Sequence, residues 1–351
     1  MFYQFIKEGW EVTNEQYNVI VGCYGADNEE TIHQFTFDGK AGTLQKRRAF
    51  NGITNPSFLT VNVTHDRLYA VSEVEVGEVA SYTLDMSAAN ISPLNRQKTK
   101  GGPCFVTVDS SNQYVLTANY SGGSIIVHQV EDDGSLGKET AFLEYNQEKP
   151  GNIHAIKEMP IKHHYIATDL GNNAFYLFEL DTNDGKLHTL QEVTVPHGSG
   201  PRHVTFHPTL PLLYIVNEFN SKVLVYAYDM ETKEITLVQE EPTLLEPFHE
   251  DNYGADVHIT SNGEFLYTSN RGHHSLTAYE VNKEGQLTPL TNIDIAGEWP
   301  RNFAISPNDA FVLVANEHTN ELVVFKVEKD GTLIETGETY AVERPVCIQF
   351  C

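Results

Sequence analysis

Eight arginines serve the whole 351-residue chain. Three of them fall on two recurrent positions of an internal repeat, Arg202 and Arg301 just after its head and Arg271 just after its second strand, and Glu73, Asp169, Glu218 and Glu317 share the position of Arg271. An unpaired guanidinium beside a folded core is costly, so arginines that converge need anionic partners. Two arrangements satisfy that need. The carboxylates could pair with the arginines and staple neighbouring repeats together. Alternatively, guanidinium groups could line a pocket that grips an anionic substrate through bidentate hydrogen bonds, with a carboxylate held beside it.

Histidine adds a candidate base. His154 falls on the first strand of its repeat, in register with Val204 and one alternation below Arg202 when Gly151 is taken as the head of that copy. A polar ring where other copies carry an apolar residue calls for a reason. His203, next to Arg202, and His273, two residues after Arg271, are also within reach of the same region. His65, His188, His197, His249 and His318 sit in loop-like surroundings, and His163-His164 precede a strand with no third ligand at metal spacing, so no metal site is expected.

The elements that must position these groups are short strands. In Gly200 to Asp229, apolar and aromatic runs at Val204–His207, Leu212–Val216 and Val223–Tyr228 are separated by Pro, Asn, Ser and Asp, the pattern of antiparallel strands joined by tight turns. The unit recurs from head residue to polar terminus as Pro56–Ser72, Pro103–Asn119, Pro201–Asn217, Gly254–Asn270 and Pro300–Asn316, with a longer copy at Gly151–Thr168. Most copies then carry a Gly-x-Leu turn into a fourth strand, as at Gly134, Gly185, Gly285 and Gly331. Four strands per copy at this period specify an all-β protein, a β-propeller of four-stranded antiparallel blades. The first copy lacks its head strand, and Arg344 to Phe350 supplies a head with nothing after it. Seven blades follow, the first closed by the C-terminal strand, which removes two exposed sheet edges.

In such a blade the start of the first strand and the end of the second meet at one face near the axis. The residues just after each head and just after each second strand should therefore share an axial mouth. That places Arg202, Arg301, Arg271, Glu73, Asp169, Glu218 and Glu317 together.

The repeat fills residues 18–351 as one domain, leaving residues 1–17 as an extension or an extra edge strand. That leading stretch lacks the basic start and apolar run of a secretory signal, and no apolar run approaches the roughly 20 residues of a membrane span. Cys23, Cys104, Cys347 and Cys351 show no metal spacing; buried thiols in a reduced, cytoplasmic protein are expected. A formal charge of −25 excludes nucleic acid as a partner, but a small anion can bind where positive charge is concentrated. A monomer or homodimer is expected.

Gly200-Pro-Arg-His-Val-Thr-Phe-His-Pro, Val216-Asn-Glu, Asn152-Ile-His-Ala, Ser269-Asn-Arg-Gly-His and Trp299-Pro-Arg resemble the lactonase family of seven-bladed propellers. That family includes propeller-type 6-phosphogluconolactonases and 3-carboxy-cis,cis-muconate lactonising enzymes. The resemblance covers nearly the whole chain and implies hydrolysis of a phosphorylated sugar lactone, a reaction of carbohydrate metabolism and the pentose phosphate pathway, without a cofactor. It implies one histidine, two arginines and one glutamate as site residues, which fall on His154, Arg202, Arg271 and Glu218. Arg202, helped by Arg271 or Arg301, would polarise the ester carbonyl, and Glu218 or His154 would activate water. Phosphogluconolactonases of the family often carry a Pro-His head in the middle blade. Gly151-Asn-Ile-His is instead closer to the muconate-type pattern, which keeps a lactonising reaction on 3-carboxymuconate open. The same carboxylates, Glu73, Asp169, Glu218 and Glu317, would suit a calcium-dependent gluconolactonase if they formed an oxygen cage. A propeller can also serve as a binding scaffold with no catalysis. No Gly-x-Ser-x-Gly elbow is present to mount a nucleophilic serine.

Overall fold

The computed structural model describes residues 15–146, 150–229 and 231–351; apart from Glu15 to Tyr17, the leading extension lies outside them. Among the described residues, twenty-eight strands form seven four-stranded antiparallel sheets. In chain order from blade 2, the innermost strands are Leu59–Val61, Pro103–Val108, Ile153–Glu158, Pro201–Phe206, Tyr253–Ile259 and Pro300–Ile305. Blade 1 takes its innermost strand from the end of the chain: Pro345–Phe350 pairs with Gln16–Cys23, with Val21 opposite Ile348. The ring is thus closed by main-chain hydrogen bonds between the two ends of the repeat, as the orphan head predicted.

Burial follows position in the blade. The second strand of blade 5, Leu212–Asn217, is buried along nearly its whole length, whereas the fourth strand of blade 4, Lys186–Thr194, alternates between half-buried and exposed. A second strand is covered on both faces by neighbouring blades and therefore reads as continuous Leu, Tyr, Ile and Val. Outer strands face water on one side and alternate. Each apolar cluster accordingly spans a seam. Phe175 and Leu177 of blade 4 pack with Leu213, Ile215 and Tyr226 of blade 5, the Phe175 and Tyr226 rings 4.9 Å apart edge to face.

The Gly-x-Leu turns set the angle between blades. Tyr69, Tyr214 and Tyr267, each on a second strand, donate their buried hydroxyls to the carbonyls of Gly134, Gly285 and Gly331 of the following blade, at 3.1, 2.8 and 2.9 Å. At Gly285 φ is +78°, and a Cβ would meet the Leu212 side chain at 2.1 Å. Only glycine allows both the left-handed turn and the approach of the preceding blade. Among the described residues no helix is long and apolar enough to cross a membrane.

One irregularity recurs at the axis. In every blade except blade 2, the register of the innermost strand slips directly after its head, and the residue left out of the ladder is Cys104, His154, Arg202, Arg301 or Val346, with the Ala255-Asp256 pair passed over in blade 6. A β-bulge removes one residue from the alternation and re-aims its side chain. Here the slip turns that residue toward the neighbouring blade's bulge: Cys104 Sγ lies 3.2 Å from the His154 carbonyl, and Arg202 donates from Nη1 to the Ala255 carbonyl.

Candidate active site

The strand pairing corrects the register expected for His154. Ile153, not Gly151, pairs with Asp169 as Pro201 pairs with Asn217, so His154 occupies in blade 4 the place of Arg202 in blade 5. The extra residues Gly151 and Asn152 precede the strand, where the Asn152 backbone N–H and side chain bind Asp169 and the Tyr120 carbonyl. Counting from the glycine shifted the histidine one alternation too deep.

Arg202, Arg271 and Glu218 form one compact group across the seam of blades 5 and 6. Glu218 Oε2 lies 3.1 Å from Arg202 Nε and 3.0 Å from Arg271 Nη2. Arg202 is 1 % exposed, and both Arg202 Nε and Arg271 Nε are sealed from solvent without an aligned acceptor. Burial alone would raise the Glu218 carboxyl, but Arg271 and Arg202 together hold it below its ordinary value. Burial and the facing Arg202 pull the Arg271 guanidinium down to about 9. Such a site is short of negative charge, and a guanidinium donor buried without an acceptor is costly. Its walls are aromatic, with Arg271 5.5 Å from the Trp299 ring and 6.0 Å from Tyr253.

A second charged group stands on the blade 7, 1 and 2 side. Arg301 lies 3.7 Å from Glu73, whose Oε2 accepts the Tyr24 hydroxyl at 2.9 Å. Arg301 and Arg344 flank the Tyr24 ring at 5.3 and 5.2 Å, and Arg344 reaches Glu317 at 3.8 Å. Four guanidiniums therefore face three carboxylates on a molecule that is otherwise strongly acidic. Arg344 is not marked by the repeat because it precedes a head instead of following one. Its direct attachment to the closing strand is the signal that could have found it.

His154 completes the mouth. Its ring is 5.7 Å from Tyr120 and 5.1 Å from His203. Burial, then the neighbouring Arg202, holds it well below the ordinary histidine value, so the ring is neutral. Beneath it lies a floor drawn from six blades: Phe58 stacks on Phe105 at 3.9 Å, both rings meet the edge of His203, His203 Nδ1 lies 2.7 Å from Asp256 Oδ1, Asp256 accepts from Asn302, and Asn302 Oδ1 accepts the Ile348 N–H at 2.7 Å. Residue types and spacing do not single out Asp256, Phe58 or Phe105. Asp256 shows itself only once the bulge is known to pass over the two residues after Gly254.

Two expected residues stand apart. Asp169 is fully buried, and its oxygens are taken by the Asn152 and Asn172 backbone N–H groups at 2.8 and 3.0 Å, the Asn172 side chain at 2.8 Å and the Tyr176 hydroxyl at 3.3 Å. It caps a turn inside blade 4 and has no oxygen left for a ligand. His273 turns outward to the rim, bonding Ser275 Oγ at 2.8 Å beside Phe248. A cage of Glu73, Asp169, Glu218 and Glu317 around one cation is not formed, since each carboxylate answers to its own partners.

Fold and site define a closed seven-bladed propeller whose bulged inner strands carry a cationic, aromatic-walled mouth at one end of the axis. The chain belongs to the family described as lactonase, 7-bladed beta-propeller, whose model matches residues 18–350, and its site is accordingly one for a small lactone. It is 32 % identical over 341 residues to the 6-phosphogluconolactonase of Bacillus subtilis, covering 94 % of this chain and 97 % of the relative. It is 30 % identical to the 6-phosphogluconolactonase of Formosa agariphila, over 88 % and 90 % of the two chains. Among solved structures, the periplasmic gluconolactonase PpgL of Pseudomonas aeruginosa superimposes with a TM-score of 0.90 at 27 % identity, covering 95 % of this chain and 99 % of that one.

Proposed function

We propose that the protein hydrolyses a phosphorylated sugar lactone, 6-phosphogluconolactone, to the open hydroxy acid at this mouth. The observation that carries the reading is the Arg202–Glu218–Arg271 group, two guanidiniums sharing one carboxylate beside a neutral His154. Ionised Glu218 holds the two guanidiniums in place. The Nη groups that neither Glu218 nor a backbone carbonyl occupies, Arg202 Nη2 and Arg271 Nη1, take up the negative charge that grows on the lactone carbonyl oxygen as water adds. Glu218 Oε2 is already engaged by both guanidiniums, whereas His154 Nε2 has no partner among the described residues, so His154 takes the proton of the attacking water. Collapse of the adduct breaks the ring C–O bond, and the imidazolium returns its proton to the leaving oxygen. Arg301 and Arg344, across the mouth, bind the phosphate. The names of relatives aligned over nearly their whole length support this substrate.

The test is turnover of 6-phosphogluconolactone with the spontaneous rate subtracted. Arg202→Ala and His154→Ala should each lower kcat by about 10²-fold or more, the usual range for an oxyanion donor or a general base, while near-ultraviolet circular dichroism is unchanged. Equal activity in all three proteins removes the proposal. Because Gly151-Asn-Ile-His approaches the muconate-type pattern, 3-carboxymuconate is assayed in parallel; turnover of that compound alone would reassign the substrate.

A further inference from the structure

The structure holds a buried pair of groups, His203 and Asp256, behind His154 that the lactonase reading does not use. Asp256 is 3 % exposed and its carboxylate is held from several sides: it accepts the Val257 N–H at 2.9 Å, the Asn302 amide, and His258 Nε2 at 3.0 Å. Burial would raise this carboxyl, but His258 and His203 keep it well below the carboxylate range. Bound to His203 Nδ1 at 2.7 Å, an ionised Asp256 accepts and His203 must donate. His203 is therefore the Nδ1–H tautomer, and its Nε2 carries a lone pair.

That lone pair has nowhere to go inside the wall. His203 is 6 % exposed, and its Nε2 is sealed and unpartnered; so is Nδ1 of His154, which is 5 % exposed. The two rings lie 5.1 Å apart, centroid to centroid, at 63°. A turn of one ring, or one bridging water, joins them. His154 Nε2 makes no hydrogen bond among the described residues and is left for the mouth.

We propose that Asp256 and His203 are positioning residues that fix His154 as the Nδ1–H tautomer, so that its Nε2 presents a lone pair to the attacking water. This inference rests on the lactonase reading. In the step it serves, water gives its proton to His154 Nε2 as its oxygen bonds to the lactone carbonyl carbon. The His154 Nδ1–H, directed at His203 Nε2, spreads the new positive charge toward the Asp256 carboxylate. No proton needs to leave the chain, and the one gained at Nε2 returns to the ring oxygen when the C–O bond breaks. His154 lies against Arg202, with Arg301 and Arg271 nearby, all of which oppose an imidazolium. A buried carboxylate two groups away supplies the opposing charge, in the manner of the aspartate behind a catalytic histidine.

The experiment compares wild type with Asp256→Asn and His203→Gln, using 6-phosphogluconolactone turnover and ¹⁵N NMR of the histidine rings. Asparagine can offer an N–H to His203 Nδ1 and so turn the tautomer over. The expected results are a kcat lower by about 10²-fold in each variant with KM changed less than about threefold, and a switch of His203 from Nδ1–H to Nε2–H in Asp256→Asn. If Asp256→Asn fails to fold, His203→Gln carries the kinetic test alone. A folded variant with kcat within about twofold of wild type, or His203 found as the Nε2–H tautomer in the wild type, overturns the inference while leaving the lactonase reading standing if His154→Ala is inactive. Absence of wild-type turnover overturns both.

Discussion

Arg271 Nη2 and Glu218 Oε2 lie 3.0 Å apart across the seam between blades 6 and 5, and the same oxygen meets Arg202 at 3.1 Å. One carboxylate thus neutralises two buried cations from neighbouring blades, so the seam and the mouth share a single electrostatic fastening. Stapling, one of the two uses that arginine and glutamate could have at this position, is therefore present, and it leaves room for the other. The pair staples the blades, and under the proposed function the Nη groups it leaves over would meet the lactone.

Glu218→Gln keeps the shape and removes the charge. Breaking a buried pair leaves an uncompensated cation, and with Glu218 partly open to the mouth a cost of about 3 kcal/mol in unfolding free energy is expected. The folded-state carboxyl lies below its unfolded value, so its contribution is full above about pH 4.5 and is lost as pH falls through the lowered folded value. Urea midpoints of wild type and variant should therefore differ at pH 7 and converge in acid. A gap that stays constant down to pH 3 would show that the charge is not what the glutamate provides.

Under the proposed function, Arg344 is the residue that should separate phosphate binding from lactone chemistry. Its side chain is 51 % exposed, with its nearest anion 3.8 Å away at Glu317, so it is the guanidinium freest to turn toward a ligand. Arg344→Ala should raise KM for 6-phosphogluconolactone about tenfold, equivalent to about 1.4 kcal/mol, and leave kinetics on unphosphorylated gluconolactone within about twofold. Equal loss on both substrates would place the phosphate elsewhere.

Gly254 sits at the seam directly against backbone. A Cβ there would lie 2.2 Å from the Asn217 carbonyl oxygen, and the residue donates its N–H to the Glu218 carbonyl at 3.1 Å while accepting from Arg271 Nη2 at 3.1 Å. Gly254→Ala must push blades 5 and 6 apart. Overpacking of this kind costs about 1–3 kcal/mol, and because Glu218 and Arg271 move with the backbone, kcat/KM should fall with the melting temperature. A variant that is less stable yet fully active would separate the seam from the site.

Much of the fold is legible in the chain because propeller repeats write themselves in register. A head proline or glycine, a second strand covered on both faces and a Gly-x-Leu turn recur at fixed spacing, and the orphan head at Pro345 announced the closure that pairs Val21 with Ile348. Arg202, Arg271, Arg301, Glu73, Glu218 and Glu317 could be gathered at one mouth from alternation and strand direction alone. Asp169 misled because a carboxylate at a strand end caps a turn as readily as it binds a ligand, and the difference lies in whether nearby N–H groups claim its oxygens. His273 misled because two residues past Arg271 the chain has already turned to the rim.

The amino-acid order by itself determined the number of blades, the way the ring closes and which end of the axis holds the charge, since these follow from period-two alternation repeated seven times. Only the tertiary structure decided which side chains meet. Two extra residues before the blade 4 strand are invisible in a pattern of residue types, yet they put His154 at the level of Arg202, and the wider slip in blade 6 places Asp256 behind His203. Contacts across the axis join blades that are distant in sequence, and no local spacing encodes them.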